Sequence, residues 1–352
     1  MRICAQIDLG ALQNNLQQVR RLAPHSQVLA MVKANAYGHG LVPCAQNLQA
    51  DYLGVATLEE ALLLRQAGVE KRIVLMGGVA DALSLQVVAA QQLDLVVYDA
   101  LHLDLLAQYR GTYSIPIWFK VNTGMHRLGF LGGVAEPALQ RLEQMHQVHI
   151  QAVMTHLAVA DEPAHDHTHA QLEAFTHLTR QWAYPKSVVN SAGLLRYPDF
   201  HFEIVRPGLM LYGLSPCADI VAESIGIVPV MSLTATVLTV FEIPAGHAIG
   251  YGLDWTADRP SKIAVISAGY GDGYPQYPRG NPQVKVHDAL CPVVGRVSMD
   301  FMMIDATDCP LIAANDPAIL WDRTHKVACP YAYLTGVMAR VPRVFLESSG
   351  RR

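Results

Sequence analysis

Short apolar runs alternate with helical patterns over the first two thirds of this chain, and this rhythm constrains the fold more than any other feature. Such runs are typical of buried parallel strands joined by crossover helices. Thr57-Leu58-Glu59-Glu60, for example, is a capping box, and Gly68 follows the same helical pattern as a C-cap. Eight strands are predicted, at residues 28–32, 52–55, 73–76, 95–98, 117–121, 150–155, 187–189 and 203–205.

Eight strand–helix units indicate a (β/α)8 barrel of the TIM type. A doubly wound sheet, the alternative, usually has fewer strands. After Tyr212 the pattern becomes mainly β, with strand-like stretches at 231–241, 262–267, 284–288 and 293–305. We therefore predict an α/β chain with a barrel at 1–225 and a mainly β C-terminal domain at 226–352.

Composition excludes several classes of function. The net charge of -4 argues against nucleic acid as a partner, and no apolar run reaches the length that spans a bilayer. The charged start of the chain does not resemble a signal peptide, so we expect a cytoplasmic location. The six cysteines lack metal-ligand spacing, and this favours buried free thiols over metal or disulfide roles.

A lysine follows the first predicted barrel strand. Barrel enzymes place their reactive groups at the C-terminal ends of the strands, although a lysine there can also simply point into solvent. Lys33 is followed by small residues that let a ligand approach, and Tyr37 offers a hydroxyl group. Desolvation at the barrel mouth would lower the pKa of the Lys33 amine and make it a better nucleophile or base.

The ten residues Met31-Val32-Lys33-Ala34-Asn35-Ala36-Tyr37-Gly38-His39-Gly40 resemble the cofactor-lysine segment of the alanine racemase family. The resemblance extends over roughly residues 4–348. It implies an isomerase that interconverts L-alanine and D-alanine, a precursor of peptidoglycan. It also implies that pyridoxal 5'-phosphate is bound covalently to Lys33, with Tyr37 in the cofactor site.

Two further strand ends resemble family segments. Residues 120–129 lie at the end of the fifth strand, and the resemblance makes Arg127 the arginine near the cofactor's phenolic oxygen and the substrate carboxylate. It also implies that Lys120 is carbamylated and orients Arg127. His156 follows the sixth strand and resembles the histidine that links the cofactor ring to a catalytic tyrosine. Taken alone, Arg127 would be read as a surface charge and His156 as a core residue.

The phosphate site is expected after strands seven and eight, where barrels commonly bind phosphate. Ser191 offers a hydroxyl there, and Gly208 and Leu209 offer backbone N–H groups. The resemblance adds Tyr331 near the C-terminus, with Tyr333 as a competitor. The chain lacks a helix-length insertion that most family members carry between Trp321 and Tyr331, and this puts the position of Tyr331 in question.

Arg206 resembles the family's arginine at the cofactor ring nitrogen. A carboxylate there would hold the ring protonated, whereas a guanidinium cannot accept the ring's proton. The resulting weaker electron sink favours return of the proton to Cα over side reactions, as racemisation requires. A structural salt bridge is the alternative role for Arg206.

Racemisation also needs a second base on the opposite face of the planar intermediate, and Tyr251 is the candidate. A phenol keeps its proton at neutral pH unless its neighbours lower its pKa. The resemblance assigns Tyr251 to L-alanine and Lys33 to D-alanine, with Tyr251 reaching the partner's cofactor in a head-to-tail homodimer. It also makes Met299 the residue whose backbone N–H holds the substrate carboxylate.

A segment of the β domain is expected to line the corridor by which substrate enters. Residues 268–275 resemble the family segment that lines this corridor, with Asp161, Tyr270, Arg279 and Arg296 as its residues.

A broad-specificity racemase remains an alternative function, since one methylene group in a pocket changes discrimination between substrates by only about 1–3 kcal/mol. A barrel-type decarboxylase would place a carboxylate where Arg206 stands, and a non-catalytic cofactor carrier would lack the β domain.

Overall fold

The computed structural model describes residues 2–278, 280–322 and 341–346. Tertiary contacts divide the chain into two units. The barrel unit comprises Leu12–Ala36 and Leu41–Val228. The β unit comprises Met1–Ala11, Tyr37–Gly40 and Pro229–Arg352.

The strands and helices of the described residues are numbered here in chain order. The strands are β1 Ile3–Asp8, β2 Gln27–Met31, β3 Tyr52–Val55, β4 Arg72–Leu75, β5 Asp94–Val97, β6 Ile115–Asn122, β7 Phe130–Leu131, β8 Val148–Met154, β9 Lys186–Ser187, β10 Ile204–Val205, β11 Met231–Ile243, β12 Ala248–Ile249, β13 Trp255–Thr256, β14 Ser261–Ile266, β15 Gln283–Val286, β16 Ala289–Val294, β17 Met302–Asp305, β18 Pro317–Trp321 and β19 Arg343–Leu346. The helices are α1 Leu9–Leu22, α2 Lys33–Tyr37, α3 Leu41–Asn47, α4 Leu58–Gln66, α5 Ala82–Ala90, α6 Ala100–Gln108, α7 Gly132–Glu143, α8 His167–Thr179 and α9 Ser191–Arg196. Short 3-10 turns lie at Pro198–Phe200, Leu209–Tyr212, Ala222–Ile225, Tyr251–Leu253 and Tyr270–Asp272.

The barrel unit is a parallel sheet in the order β10-β2-β3-β4-β5-β6-β8-β9, with β7 paired to β6. The two ends of this order meet, because the Arg206 N–H donates to the Val189 carbonyl at 3.0 Å. The predicted (β/α)8 architecture is therefore confirmed, since a doubly wound sheet would leave two open edges.

The barrel strands could be predicted from the sequence because the sheet is buried on both of its faces. Leu53, Val74 and Val96 lie on three neighbouring strands and are completely buried. Strands covered on both sides read as continuous apolar runs rather than alternating ones. Each such side chain contributes about 1.5–3 kcal/mol by leaving water.

Helix α4 begins and ends as its sequence predicts. The Thr57 hydroxyl accepts from the Glu60 N–H at 3.3 Å, and the Glu60 carboxylate accepts from the Ala56 N–H at 2.8 Å. Gly68 follows the helix at a φ of 77°, a left-handed conformation that favours glycine. The cap also fixes Glu60 close to the end of β3, where its carboxylate accepts from the Asn35 N–H.

The β unit contains a sheet in the order β14-β17-β16-β15-β18-β11-β1-β19, and β14 also pairs with β11. Strand β1 lies antiparallel to β11 and parallel to β19. The first strand of the chain therefore belongs to the β unit, and not to the barrel as the predicted limits 1–225 assumed. Sequence order misplaced it because strand pairing joins residues far apart in the chain.

One strand prediction in the β unit was wrong. Residues 293–305 read as a single strand, but β16 ends at Val294 and β17 begins at Met302. Gly295 has a φ of 69°, which turns the backbone out of the sheet. The turn between these strands presents Met299, whose side chain is 54% exposed.

Five cysteines, Cys4, Cys44, Cys217, Cys291 and Cys309, are buried free thiols, as predicted. Cys329 lies outside the described residues. Among the residues that the structure describes, no cluster of three or more His, Cys, Asp or Glu side chains is arranged to hold a metal ion. In the same part of the chain, no helix is both long and apolar enough to cross a membrane.

Candidate active site

Lys33 begins α2, which is not an ordinary α-helix but a left-handed turn after β2. Ala34, Asn35, Ala36 and Tyr37 all have φ values of 53° to 55°, which cost non-glycine residues roughly 1–2 kcal/mol each. Side-chain contacts hold the turn, because Asn35 accepts from the Leu41 N–H at 2.9 Å and its own N–H donates to Glu60 at 3.2 Å. The strained backbone thus fixes where the lysine leaves the strand.

The Lys33 amine lies among positive charges. Burial is the main cause that lowers its pKa, and the guanidinium groups of Arg127 and Arg206 lower it further. The Glu60 carboxylate acts in the opposite direction. A lowered pKa leaves more of the amine unprotonated at neutral pH, and only the unprotonated amine can attack a carbonyl or accept a proton.

Lys120 lies within β6 and is only 6% exposed. Burial lowers the pKa of its amine to about 8, and the charges of Arg206, Arg127 and Lys33 add to the effect. Arg127 follows on the exposed loop after β6. The Asn122 carboxamide shapes that loop, because its oxygen accepts from the N–H groups of Gly124 at 3.1 Å and His126 at 3.0 Å.

Arg206 is buried after β10 and makes several hydrogen bonds. Its guanidinium donates to the Ser187 hydroxyl at 2.8 Å, the Thr155 carbonyl at 2.6 Å and the Val188 carbonyl at 3.1 Å. Burial lowers its pKa to about 9, so the guanidinium stays protonated at neutral pH. Its Nη2 also lies 3.2 Å from Nδ1 of His156.

A hydroxyl group and backbone N–H groups lie together after β9 and β10. The Ser191 Oγ accepts from the Gly208 N–H at 2.9 Å and from the Met210 N–H at 3.4 Å. Since its lone pairs are used in this way, the hydroxyl proton is available to a further acceptor. Leu209 begins a short 3-10 turn beside this group.

Five cationic or ionisable nitrogen side chains therefore interact at the C-terminal ends of the barrel strands. These residues, which we call the cationic cluster, are Lys33, Lys120, Arg127, His156 and Arg206. Within the described residues, Glu60 is the one carboxylate that contributes to the pKa of Lys33. Such an excess of positive charge in a partly buried site favours an anionic ligand.

Most of the remaining predicted residues in the described part of the chain belong to the β unit. Tyr251 is 72% exposed and Tyr270 is 38% exposed, both in the β unit. Arg296 is paired with Asp254, with a second contact of 3.1 Å. Asp161 is exposed in the barrel unit, and Tyr37 and Met299 belong to the β unit. Arg279 and Tyr331, with its competitor Tyr333, lie outside the described residues.

Sequence reasoning missed several residues around the cationic cluster. Glu60 was recognised only as a helix cap, although the position of the cap after β3 was a usable signal. Ser187 was taken only as part of a strand. His167 and Gln171 were not recognised at all, because nothing in a helical pattern indicates which loops a helix face will contact.

Comparison with known proteins bears on the whole chain. The model of the alanine racemase N-terminal domain matches residues 7–216. The model of the alanine racemase C-terminal domain matches residues 230–345. The chain belongs to the alanine racemase family. The first match ends before residue 228 and the second begins after residue 229, where the barrel unit gives way to the β unit.

Individual members of the alanine racemase family agree with this assignment. An alanine racemase of Nitrosococcus oceani is 42% identical over 349 residues, which cover 96% of this chain and 98% of that relative. The crystal structure of the biosynthetic alanine racemase from Pseudomonas aeruginosa superposes with a TM-score of 0.94 at 37% identity, covering 98% of this chain and 99% of that one. The Bartonella henselae alanine racemase, solved with covalently bound pyridoxal phosphate, superposes with a TM-score of 0.87 at 28% identity, covering 98% and 100%.

Proposed function

We propose that this chain interconverts L-alanine and D-alanine with pyridoxal phosphate held at the cationic cluster. The observation that carries the proposal is the concentration of positive charge at the barrel mouth around one reactive lysine. A phosphate ester and an amino-acid carboxylate are both anions, so the cluster suits both. The Bartonella henselae relative, which was solved with covalently bound pyridoxal phosphate, supports this choice.

The residues present fit the cofactor. Lys33 has the lowered pKa that a covalent link to an aldehyde needs. The Ser191 hydroxyl can donate its proton to a phosphate, because its oxygen already accepts from the Gly208 N–H. We assign Gly208 and Leu209 to the same phosphate site, beside the start of a short 3-10 turn. We assign Tyr37 and His156 to the same site. Tyr331 stays a prediction, since it lies outside the described residues.

When bound, pyridoxal phosphate supplies the electron sink that allows Cα of an attached amino acid to lose its proton. We assign Arg206 to the ring nitrogen. Its guanidinium keeps its proton at neutral pH and has no lone pair with which to accept another. A decarboxylase of this fold would place a carboxylate here, so Arg206 favours a racemase.

Lys33 and Tyr251 serve as the two bases. In this scheme the Tyr251 phenol exchanges the proton with Cα of L-alanine, and the Lys33 amine exchanges it with Cα of D-alanine. Arg127 and the Met299 backbone N–H bind the substrate carboxylate. Lys120 carries a carbamate that orients Arg127, because its lowered pKa favours the neutral amine that reacts with CO2.

Tyr251 serves the barrel unit of a second copy in a head-to-tail homodimer. Such an interface would bury large side chains that the β unit exposes, namely Tyr251, Leu253, Tyr270, Tyr277, Met299 and Phe301. A twofold interface over such a surface would place one Tyr251 at each of two shared sites. The cytoplasmic location stays a prediction, as do the corridor roles of Asp161, Tyr270, Arg279 and Arg296.

Three measurements test the proposal. Borohydride should fix the cofactor onto the peptide that contains Lys33, and an adduct on another lysine would exclude the assignment. Tyr251→Phe should abolish most turnover from L-alanine while leaving the unfolding temperature and cofactor binding unchanged, because the side chain is exposed. Chiral analysis of several L-amino acids as substrates would separate an alanine racemase from a broad-specificity enzyme.

A further inference from the structure

We propose that one face of helix α8, formed by His167 and Gln171, positions the two loops that carry Arg127 and His156. This inference rests on the proposed function, in which both residues belong to the active site. His167 and Gln171 are four residues apart and therefore lie on the same face of the helix. Neither belongs to the cationic cluster, and both act through backbone groups beside it.

Gln171 holds the loop after β8. Its side chain is completely buried. Its carboxamide oxygen accepts from the Ala158 N–H at 2.9 Å, and its nitrogen donates to the His156 carbonyl at 3.0 Å. A carboxamide satisfies both groups because it is donor and acceptor at once. The backbone of His156 is thereby fixed at the residue whose ring contacts Arg206.

His167 holds the loop after β6. Its Nε2 lies 3.1 Å from the Gly124 carbonyl, and since a carbonyl only accepts, this nitrogen carries the hydrogen. Gly124 lies directly against the helix face: a Cβ atom there would stand 3.0 Å from Nε2 of His167 and 3.1 Å from Cγ of Gln171. Its φ of 138° also disfavours other residues. Arg127 follows three residues later.

The two loops are also joined to each other. The Thr123 and Thr155 hydroxyls lie 2.9 Å apart, and each threonine immediately precedes a residue held by α8. A shift of the α8 face that carries His167 would therefore move the backbone segment that precedes Arg127. Since a displacement of about 1 Å costs up to a hundredfold in a reaction that depends on orientation, these contacts set the geometry of substrate binding.

The test compares His167→Ala, His167→Gln and the matched control His177→Ala in the cofactor-loaded enzyme. His177 is an exposed histidine on the same helix. His167→Ala should raise the KM for L-alanine about tenfold, with a smaller change in kcat and an unchanged unfolding temperature. His167→Gln keeps a side-chain N–H donor and should restore much of the loss.

A second readout does not depend on turnover. Propionate is alanine without its amino group, so its binding reports on the carboxylate site alone. Its dissociation constant, measured by calorimetry, should rise about tenfold in His167→Ala and remain unchanged in His177→Ala. Gln171→Leu should additionally perturb the 15N resonances of the His156 ring, but the His167 series decides the question because Gln171 is fully buried.

Two negative results would have different meanings. If His167→Ala matches His177→Ala in KM and in propionate binding, the positioning role is excluded while the racemase proposal stands. If the wild-type enzyme does not racemise alanine at all, the proposed function itself fails.

Discussion

Nη2 of Arg206 lies 3.2 Å from Nδ1 of His156, and in this contact the guanidinium can only donate. This contact favours the tautomer of a neutral imidazole in which Nδ1 is unprotonated and Nε2 carries the hydrogen. Burial lowers the pKa of His156 well below its ordinary value, and the charges of Arg206, Lys120, Arg127 and Lys33 act in the same direction. Burial and the neighbouring charges thus favour the neutral form of the ring.

We predict that His156 stays neutral between about pH 5 and 8, the range in which an unperturbed histidine titrates. The folded chain would otherwise place one more positive charge inside the cationic cluster. 15N NMR of histidine-labelled protein, assigned with a His156→Gln variant, should show Nε2 protonated and Nδ1 unprotonated throughout. Resonances typical of a doubly protonated ring at pH 6 would contradict this.

Lys120 should make stability depend on pH. Its pKa is about 8 in the folded chain against an ordinary value of 10.5, so the unfolded chain binds more protons between these values and stability rises with pH there. The difference between the two pKa values corresponds to roughly 3 kcal/mol in the free energy of unfolding. In CO2-free buffer, Lys120→Met should therefore exceed the wild type in unfolding free energy at pH 7. That advantage should shrink by pH 10.5. If denaturation curves give the same difference in unfolding free energy between the two proteins at pH 7 and at pH 10.5, the prediction is contradicted.

The same lysine should take up CO2. A neutral buried amine forms a carbamate, and the new anion would face Arg206, Arg127 and Lys33. With 13C-labelled bicarbonate, we expect a carbamate carbon signal in the wild type. Lys120→Arg keeps the positive charge but cannot be carbamylated, so it should lack the signal. Equal signals in both proteins would place the carbamate elsewhere.

The left-handed turn after Lys33 should tolerate glycine better than alanine. Ala34 is exposed and has a φ of 54°, so Ala34→Gly removes backbone strain and should raise the unfolding free energy by about 0.5–1 kcal/mol. Ala174→Gly is the matched control, because Ala174 is an exposed residue in the middle of right-handed α8. That change should lower stability by about 1 kcal/mol. Urea titration measures both, and destabilisation in both would contradict the prediction.

Most of the barrel could be predicted because its signals are local. Buried strands are continuous apolar runs, and Thr57 with Glu60 marks a helix start within four residues. The residues of the cationic cluster were instead predicted from the resemblance to the alanine racemase family, since Arg127 alone would indicate a surface charge and His156 alone a core residue. Strand β1 was misassigned because its partners, β11 and β19, lie more than two hundred residues away.

The sequence by itself therefore determined the order of strands and helices, the lysine that follows the first barrel strand, and the family to which the chain belongs. Only the tertiary structure decided that Lys33, Lys120, Arg127, His156 and Arg206 share one site. Burial there, together with the neighbouring charges, lowers the pKa of Lys33, Lys120 and His156. It alone also brought His167 and Gln171 against the loops beside them. The physical reason is that propensity and patterning act between near neighbours in the chain, whereas charge and hydrogen bonding act between near neighbours in space.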